Sequence, residues 1–382
     1  MKDFKIAMVI KTSGLEYDDR VRKEILTVQK MYSNVFFQIF VMLDNDNRAY
    51  EGVTSYGTPF KTVYLKSRDK FPSATHLLEK SYEFFRVIKN DLKAYDAIWC
   101  ADRHCFMVAA LAKSKRILWD LHELPYEFFS NKPMRWFLRY ILKRCKVVVH
   151  ANPQRLEYMK SLGLINQPEK HFAIRNYPNF DEIDPVEDEQ LKRFDAWKSD
   201  RKCVYLQGLN NDGRAAYESV TAVMRTEPLA AVVVGGFDDA SKERLREAWG
   251  DALEQRIFFA GKIPQLKIPQ YVSRCYSSMV FYKNIRPNNY YCEANRFYQS
   301  VIMGLPVVVG DNPPMRELVT KYGFGLSIDD DGRDMDKICS ALTDIMTNYD
   351  KYQANIIKYR HLLFWDTQEP EFTKIIDRLL EV

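Results

Sequence analysis

The chain has 382 residues, 46% of them apolar and 14% aromatic, with a formal net charge of +5. That length suits two domains of ordinary size, and that composition excludes a disordered chain. The mild positive charge fits an anionic small ligand or a membrane surface at least as well as nucleic acid, and with no run of about 18 apolar residues no transmembrane helix is expected. The first residues, MKDFKIAMVIKTSG, have too short an apolar core for a signal peptide, and Lys11 interrupts it. Seven cysteines form no CxxC pair and no Cys/His cluster of zinc spacing, so buried thiols in a reducing cytosol are expected.

In chain order, residues 4–10 predict a strand entering a loop at Gly14. Val21, Ile25 and Val28 lie at helical spacing and predict a helix over 20–31. Strands follow at 35–43, 97–100, 116–120 and 146–150, with helices at 74–93, 105–113, 134–143 and 153–162. This βα alternation predicts a parallel sheet covered on both faces. The turn Asn176-Tyr177-Pro178-Asn179 and the acidic stretch after it break the pattern, placing an interdomain linker at 181–200. The pattern restarts with strands at 203–207, 230–234, 257–260, 278–282 and 306–309. The helices between and after them are at 214–224, 241–249, 266–275, 294–303, 314–321 and 335–348. The tail, 352–382, reads as helical with a break near 366–370. The expected architecture is α/β, with two doubly wound Rossmann-like domains, 1–180 and 201–350, facing across a cleft.

In such sheets ligands bind beyond the C-terminal ends of the strands, which selects Gly14, His122, Gly208, Gly236, Gly261 and Lys283. The helix beginning at Asn295 and Arg296 runs into Gly304-Leu305-Pro306 and a buried strand, an order that sets a helix N-terminus at a sheet edge, where anionic groups bind. Arg214, Lys283 and Arg296 are the candidate diphosphate cations. A cation in a helix's first turn opposes the dipole and needs another reason to be there. A G-x-G-x-x-G fingerprint is absent, which weakens a dehydrogenase reading. His122 is a candidate for sugar or phosphate contact or for acid/base chemistry, with Asp120 and Glu123 orienting it. His104, at another strand end, is a candidate for contacting an acceptor. Asp329-Asp330-Asp331 precedes Gly332 and reads as a surface turn rather than a metal site. In residues 132–146, Arg135, Arg139 and Lys143 form one stripe flanked by Trp136, Phe137 and Tyr140. Such a helix can lie on an anionic bilayer, or pack in the core with a solvated basic face.

Several segments together resemble the GT-B glycosyltransferases of the family 4 type, especially those of bacterial surface-polysaccharide assembly. Lys11-Thr12-Ser13-Gly14 with Tyr17-Asp18-Asp19-Arg20-Val21-Arg22-Lys23-Glu24 is similar to that family's first loop and helix, and Trp119-Asp120-Leu121-His122-Glu123-Leu124 to its DxHE segment. Asn176-Tyr177-Pro178 resembles the end of its N-terminal domain, and Gly208 with Gly213-Arg214 the start of its donor-binding domain. Residues 284–306 resemble its Asn-Tyr-Tyr … Pro-Asn-Lys … Glu … Gly-x-Pro block. Trp365 sits where the last helix of that family returns to the N-terminal domain, which assigns 351–382 to helices crossing back. The sequence departs from the family at Gln299, where the family has a ribose-binding Glu, at Ala294-Asn295-Arg296 for Pro-Asn-Lys, and at Tyr291 for the earlier Glu of a glutamate pair. Gln keeps an acceptor oxygen, and Arg keeps the charge with a different geometry.

The resemblance implies a retaining transfer of sugar from a nucleotide-sugar donor to a glycan, lipid-linked in the expected case, with no metal and no other cofactor. It implies a cytoplasmic enzyme at the inner face of the cell membrane. Aromatic and basic residues are not concentrated on one recognisable module, so no nucleic-acid partner is expected. Two alternatives stand beside it. A nucleotide-sugar 2-epimerase shares the architecture but has no use for the basic aromatic helix. A non-catalytic glycan-binding protein is favoured by Gln299.

Overall fold

The computed structural model describes residues 3–71, 75–179, 189–208, 212–264 and 267–381. These divide into two units: Met1–Asn176 with Gln368–Val382, and Tyr177–Thr367.

The first unit is built on eight strands: β1 (Phe4–Thr12), β2 (Val35–Leu43), β3 (Glu51–Val53), β4 (Pro59–Thr62), β5 (Ala97–Ala101), β6 (Ile117–Leu121), β7 (Val147–His150) and β8 (His171–Ala173). Their order is β3-β4-β2-β1-β5-β6-β7-β8, parallel except for the antiparallel β3–β4 pair at one edge. The central β1 is buried on both faces, and Ile6, Ala7, Met8, Val9 and Ile10 are at most 1% exposed. That burial is why the strand reads as an unbroken apolar run rather than an alternating one. Helices begin where the sequence supplies caps. The Asn152 side chain accepts from Arg155 N at 2.8 Å ahead of Pro153 at the first position, and Asn131 accepts from Met134 N at 3.0 Å. The predicted helix over 74–93 is shorter, Leu77–Ile88 followed by a single 3₁₀ turn, Asp91–Ala94.

The second unit carries β9 (Cys203–Gln207), β10 (Ala230–Val234), β11 (Ile257–Gly261), β12 (Ser277–Val280), β13 (Val307–Val309) and β14 (Gly325–Ser327) in the all-parallel order β11-β10-β9-β12-β13-β14. Alternation along the strands divides its core. Val204, Leu206, Ala231 and Val233 join one cluster, while Cys203, Tyr205, Ala230 and Val232 join the other.

The boundaries differ from expectation in two places. Residues 180–188, the acidic part of the expected linker, lie outside the described residues. Residues 189–200 are not linker. The helix Glu189–Lys198 buries Leu191 and Phe194 in the second core, with the Phe194 ring stacked 5.4 Å from that of Tyr271. Nor does the whole tail cross back. The helix Tyr349–Tyr359 buries Ile356 in the second unit, and only Gln368–Val382 joins the first.

Candidate functional site

In the first unit, the C-terminal ends of β5 and β6 present two Asp-x-His segments, Asp102-Arg103-His104 and Asp120-Leu121-His122. Asp120 is fully buried. Its carboxylate accepts a bidentate pair from Arg20, Nε at 3.0 Å and Nη2 at 2.8 Å, and contacts His122 Nε2 at 2.9 Å. Arg20 reaches it from the first turn of the helix Asp19–Met31. There it is also paired with Glu24 at 3.0 Å, one turn on, and it donates from Nη1 to Ile174 O at 3.1 Å. Burial opposes ionisation of Asp120, but the Arg20 guanidinium and then His122 hold its carboxyl well below the usual range. Burial and the neighbouring Asp120 push the Glu24 carboxyl well up. Burial alone would lower the His122 imidazole, but the charge and hydrogen bond of Asp120 outweigh it and push it up to about 9. His122 is therefore a cation at neutral pH. With Nε2 on Asp120, its Nδ1–H is left to donate. Asp120 has no exposed surface with which to touch a substrate, and its carboxylate holds His122 at Nε2, which suits the imidazole to donating from Nδ1 to an anion or hydroxyl.

Glu24, Asp120 and His122 place one ligand atom each within 4.8 Å of one another. The guanidinium of Arg20 already lies against both carboxylates, and a cation there would have to displace it. The triple Asp329-Asp330-Asp331 is a structural turn. Asp330 Oδ1 accepts from the backbone N–H groups of Gly332, Arg333 and Asp334, and Asp331 accepts from Asn284 N at 2.7 Å and from Arg333.

Gly14 is extended, with φ 177°, so its conformation does not require glycine. His104 Nδ1 lies 2.9 Å from Asp102 Oδ2.

In the second unit, a corner forms where β9, β10 and β12 end. Gly208 has φ +65°, and a Cβ on it would lie 2.6 Å from Arg214 Nη1. Gly235 has φ +102°, and a Cβ there would lie 3.2 Å from Gly208 N. The close approach of the two strand ends is thus at Gly208 and Gly235. Gly261 turns the end of β11 with φ +70°, and its carbonyl accepts from Gly235 N at 2.6 Å. Arg214 donates to Gly208 O at 2.8 Å. Arg296, 5% exposed, donates to the carbonyls of Gln207 and Phe281, the latter at 3.1 Å, and burial lowers it. Both guanidinium groups lie over the Tyr282 ring, at 5.5 Å for Arg214 and 5.0 Å for Arg296. Asn295, exposed, opens the helix Asn295–Ile302, whose N-cap Ala294 supplies no side-chain hydrogen bond. One turn on, Gln299 Oε1 is buried with no hydrogen-bond partner among the described residues.

Lys283 departs from expectation. It is 4% exposed, and its ammonium is held by Asp212 at 2.5 Å and Glu218 at 2.8 Å, while its backbone N–H donates to Gly213 O at 2.8 Å. Burial would lower it, but the two carboxylates raise it. Here Lys283 fastens the turn that carries Arg214, with its own charge already matched.

In the helix Lys132–Arg144, Arg135 donates to Phe129 O at 2.9 Å and Arg139 to Gly163 O at 3.0 Å. Lys143 is exposed, and its carbonyl accepts from Lys170. Phe137 packs against Phe106 and Phe128, whereas Trp136 is 68% exposed and stacks on Tyr140. Among the described residues no helix is long and apolar enough to cross a membrane.

Arg20, Glu24, Asp102 and Gly235 were not singled out from sequence. Arg20 and Glu24 did carry a signal, since charges of opposite sign four apart on the buried face of a predicted helix require a buried partner.

No family model matches the chain, and no curated protein matches it. Solved structures do. Sucrose-phosphate synthase from Thermosynechococcus elongatus superposes with a TM-score of 0.75 at 17% identity, covering 98% of this chain and 99% of that one. HepE from Anabaena, in complex with UDP, gives 0.70 at 14%, covering 98% and 100%. WaaG, a glycosyltransferase involved in lipopolysaccharide biosynthesis, gives 0.64 at 13%, covering 99% and 100%. The fold is that of the GT-B glycosyltransferases: α/β, with two Rossmann-like domains.

Proposed function

We propose that this chain is a glycosyltransferase that moves a sugar from a nucleotide-sugar donor to an acceptor hydroxyl. The observation that carries the reading is the corner of the second unit where Gly208 and Gly235 bare the backbone beside Arg214 and Arg296. Glycosyl transfer leaves negative charge on the departing diphosphate, which needs cations and amide dipoles. Arg214 supplies the cation, and Arg296 fixes the strand ends around it. Gln299 offers its unpaired carbonyl oxygen to a ribose hydroxyl. The complex of HepE with UDP supports a nucleoside diphosphate as the ligand class.

In the first unit, His122 donates from Nδ1 to a substrate hydroxyl or anion. The transfer retains anomeric configuration, with a donor phosphate oxygen taking the acceptor proton, and needs no metal. The acceptor is a lipid-linked glycan of cell-surface polysaccharide. The protein works in the cytoplasm against the membrane's inner face, which Trp136, Tyr140, Arg139 and Lys143 touch. WaaG supports the choice of acceptor, and the exposed aromatic pair on a basic helix supports the surface contact.

Thermal-shift and calorimetric titration with UDP, GDP, dTDP and CMP and their sugars tests this. One nucleotide family is expected to bind, with Arg214→Ala weakening it about 10- to 100-fold, the worth of one charged hydrogen bond. Turnover is expected to persist in EDTA. Absence of binding by every nucleotide would refute the reading.

A further inference from the structure

The backbone of Asp102 has φ 67° and ψ 167°, a region essentially reserved for glycine. Residues held there persist only where their surroundings over-determine them. Asp102 N donates to Asp120 O at 2.7 Å, and Asp102 O accepts from Trp119 Nε1 at 3.2 Å. Both bonds use backbone atoms, and any residue could make them. The side chain therefore needs its own explanation. Its Oδ2 lies 2.9 Å from His104 Nδ1, while its Oδ1 is buried with no hydrogen-bond partner among the described residues. A carboxylate kept for packing would be saturated with donors. This one has one side-chain partner in the hydrogen-bond geometry, the His104 imidazole, about 20% exposed, with the backbone N–H of Arg103 beside it.

The second Asp-x-His segment lies alongside, since Ala101 pairs with Asp120 in the β5–β6 register. The two dyads use opposite ring nitrogens. Asp120 binds Nε2 of His122 and leaves Nδ1, whereas Asp102 binds Nδ1 of His104 and leaves Nε2. A carboxylate on Nδ1–H fixes the tautomer in which Nε2 of a neutral ring is a hydrogen-bond acceptor. The pair thus offers one donor and one acceptor from adjacent strand ends, the complement of a sugar hydroxyl.

We infer that Asp102 is a positioning residue, held in a strained conformation so that His104 Nε2 accepts the hydrogen bond of an acceptor-substrate hydroxyl. This rests on the proposed transfer reaction and assigns its acceptor subsite to the ends of β5 and β6. The glycine-like backbone supplies a test that separates function from packing. Asp102→Gly relieves the strain and removes the carboxylate. Asp102→Asn keeps the strain and an acceptor oxygen.

In the full chain, Asp102→Gly is expected to melt no lower than the parent. Nitrogen-15 NMR of histidine-labelled protein is expected to show His104 as the Nδ1–H tautomer in the parent, kept in Asp102→Asn and lost in Asp102→Gly. With the donor that the parent binds, and methyl α-glucoside as the acceptor probe, Asp102→Gly should raise the acceptor KM at least tenfold and leave the donor KM unchanged. A lowered melting temperature, an unchanged His104 tautomer or an unchanged acceptor KM would each overturn the inference. If the parent releases no nucleoside diphosphate from any UDP, GDP or dTDP sugar, the transfer reaction itself falls, and the tautomer and melting results alone decide whether Asp102 fixes His104.

Discussion

Single side chains in this molecule set opposite pH limits on its stability. His122, raised from 6.5 to about 9 by Asp120, binds its proton more tightly in the folded state. Its contribution is fully present below pH 6.5 and is lost as pH rises through about 9. His171 behaves in the opposite sense. Burial, with Lys170 and Lys160 nearby, lowers it to about 4, and it stacks on the buried His150, which burial and His171 also lower. That contribution is present above pH 6.5 and is lost as pH falls through about 4. Each shift corresponds to on the order of 3 kcal/mol. Melting followed from pH 4 to 10 should therefore show a maximum near neutrality, with the alkaline limb flattened in His122→Gln and the acid limb unaffected by it. An unchanged alkaline limb in that variant would contradict the pairing of His122 with Asp120.

At the scale of elements, the helix Glu189–Lys198 shows how burial decides membership. Phe194 is fully buried among Cys203, Tyr205 and Tyr271, so Phe194→Ala should cost about 3–5 kcal/mol, read as a lowered denaturant midpoint of the second unit. A linker residue would give no such loss. Long apolar runs made β1, β2, β5, β9 and β10 legible in the sequence, because five to nine consecutive residues carry their own pattern. The strands β3, β8, β13 and β14 have three residues each, and β4 has four. A strand that short carries little period, and of these five only Val307–Val309, beside Gly304-Leu305-Pro306, announced itself; β7 and β12, four residues each, were read from their apolar runs within the βα alternation. Part of the site was legible in the same way. Strand-end position points to Gly208 and His122, and a cation at a helix start points to Arg214 and Arg296. What the sequence could not disclose is which distant partner each charge takes. Arg20 meets Asp120 a hundred positions on, and Lys283 meets Glu218 across 65. These pairings follow from the order of strands in the sheets, which local pattern does not encode.

At the scale of the whole molecule, the first unit depends on residues far from it in sequence. Phe372, Ile375, Ile376 and Leu379 of the helix Glu369–Leu380 are fully buried, and Phe372 lies 5.9 Å from the Trp99 ring. Four such side chains contribute about 6–12 kcal/mol, comparable with the ordinary net stability of a domain, about 5–15 kcal/mol. Deletion of residues 368–382 should therefore abolish the unfolding transition of the first unit while the second still melts cooperatively, as differential scanning calorimetry would report. Two intact transitions after the deletion would mean that the helix only decorates the surface.

The same discontinuity dictates an order of maturation during synthesis. Tyr177–Thr367 is one uninterrupted segment, whereas the unit that leaves the ribosome first is completed by residues made only after that segment. The early-made sheet must wait, with its Trp99 flank uncovered, through the translation of nearly two hundred codons. A nascent chain stalled just short of the helix Glu369–Leu380 would carry a finished second unit and an unfinished first one. That is the form in which chaperones would meet it.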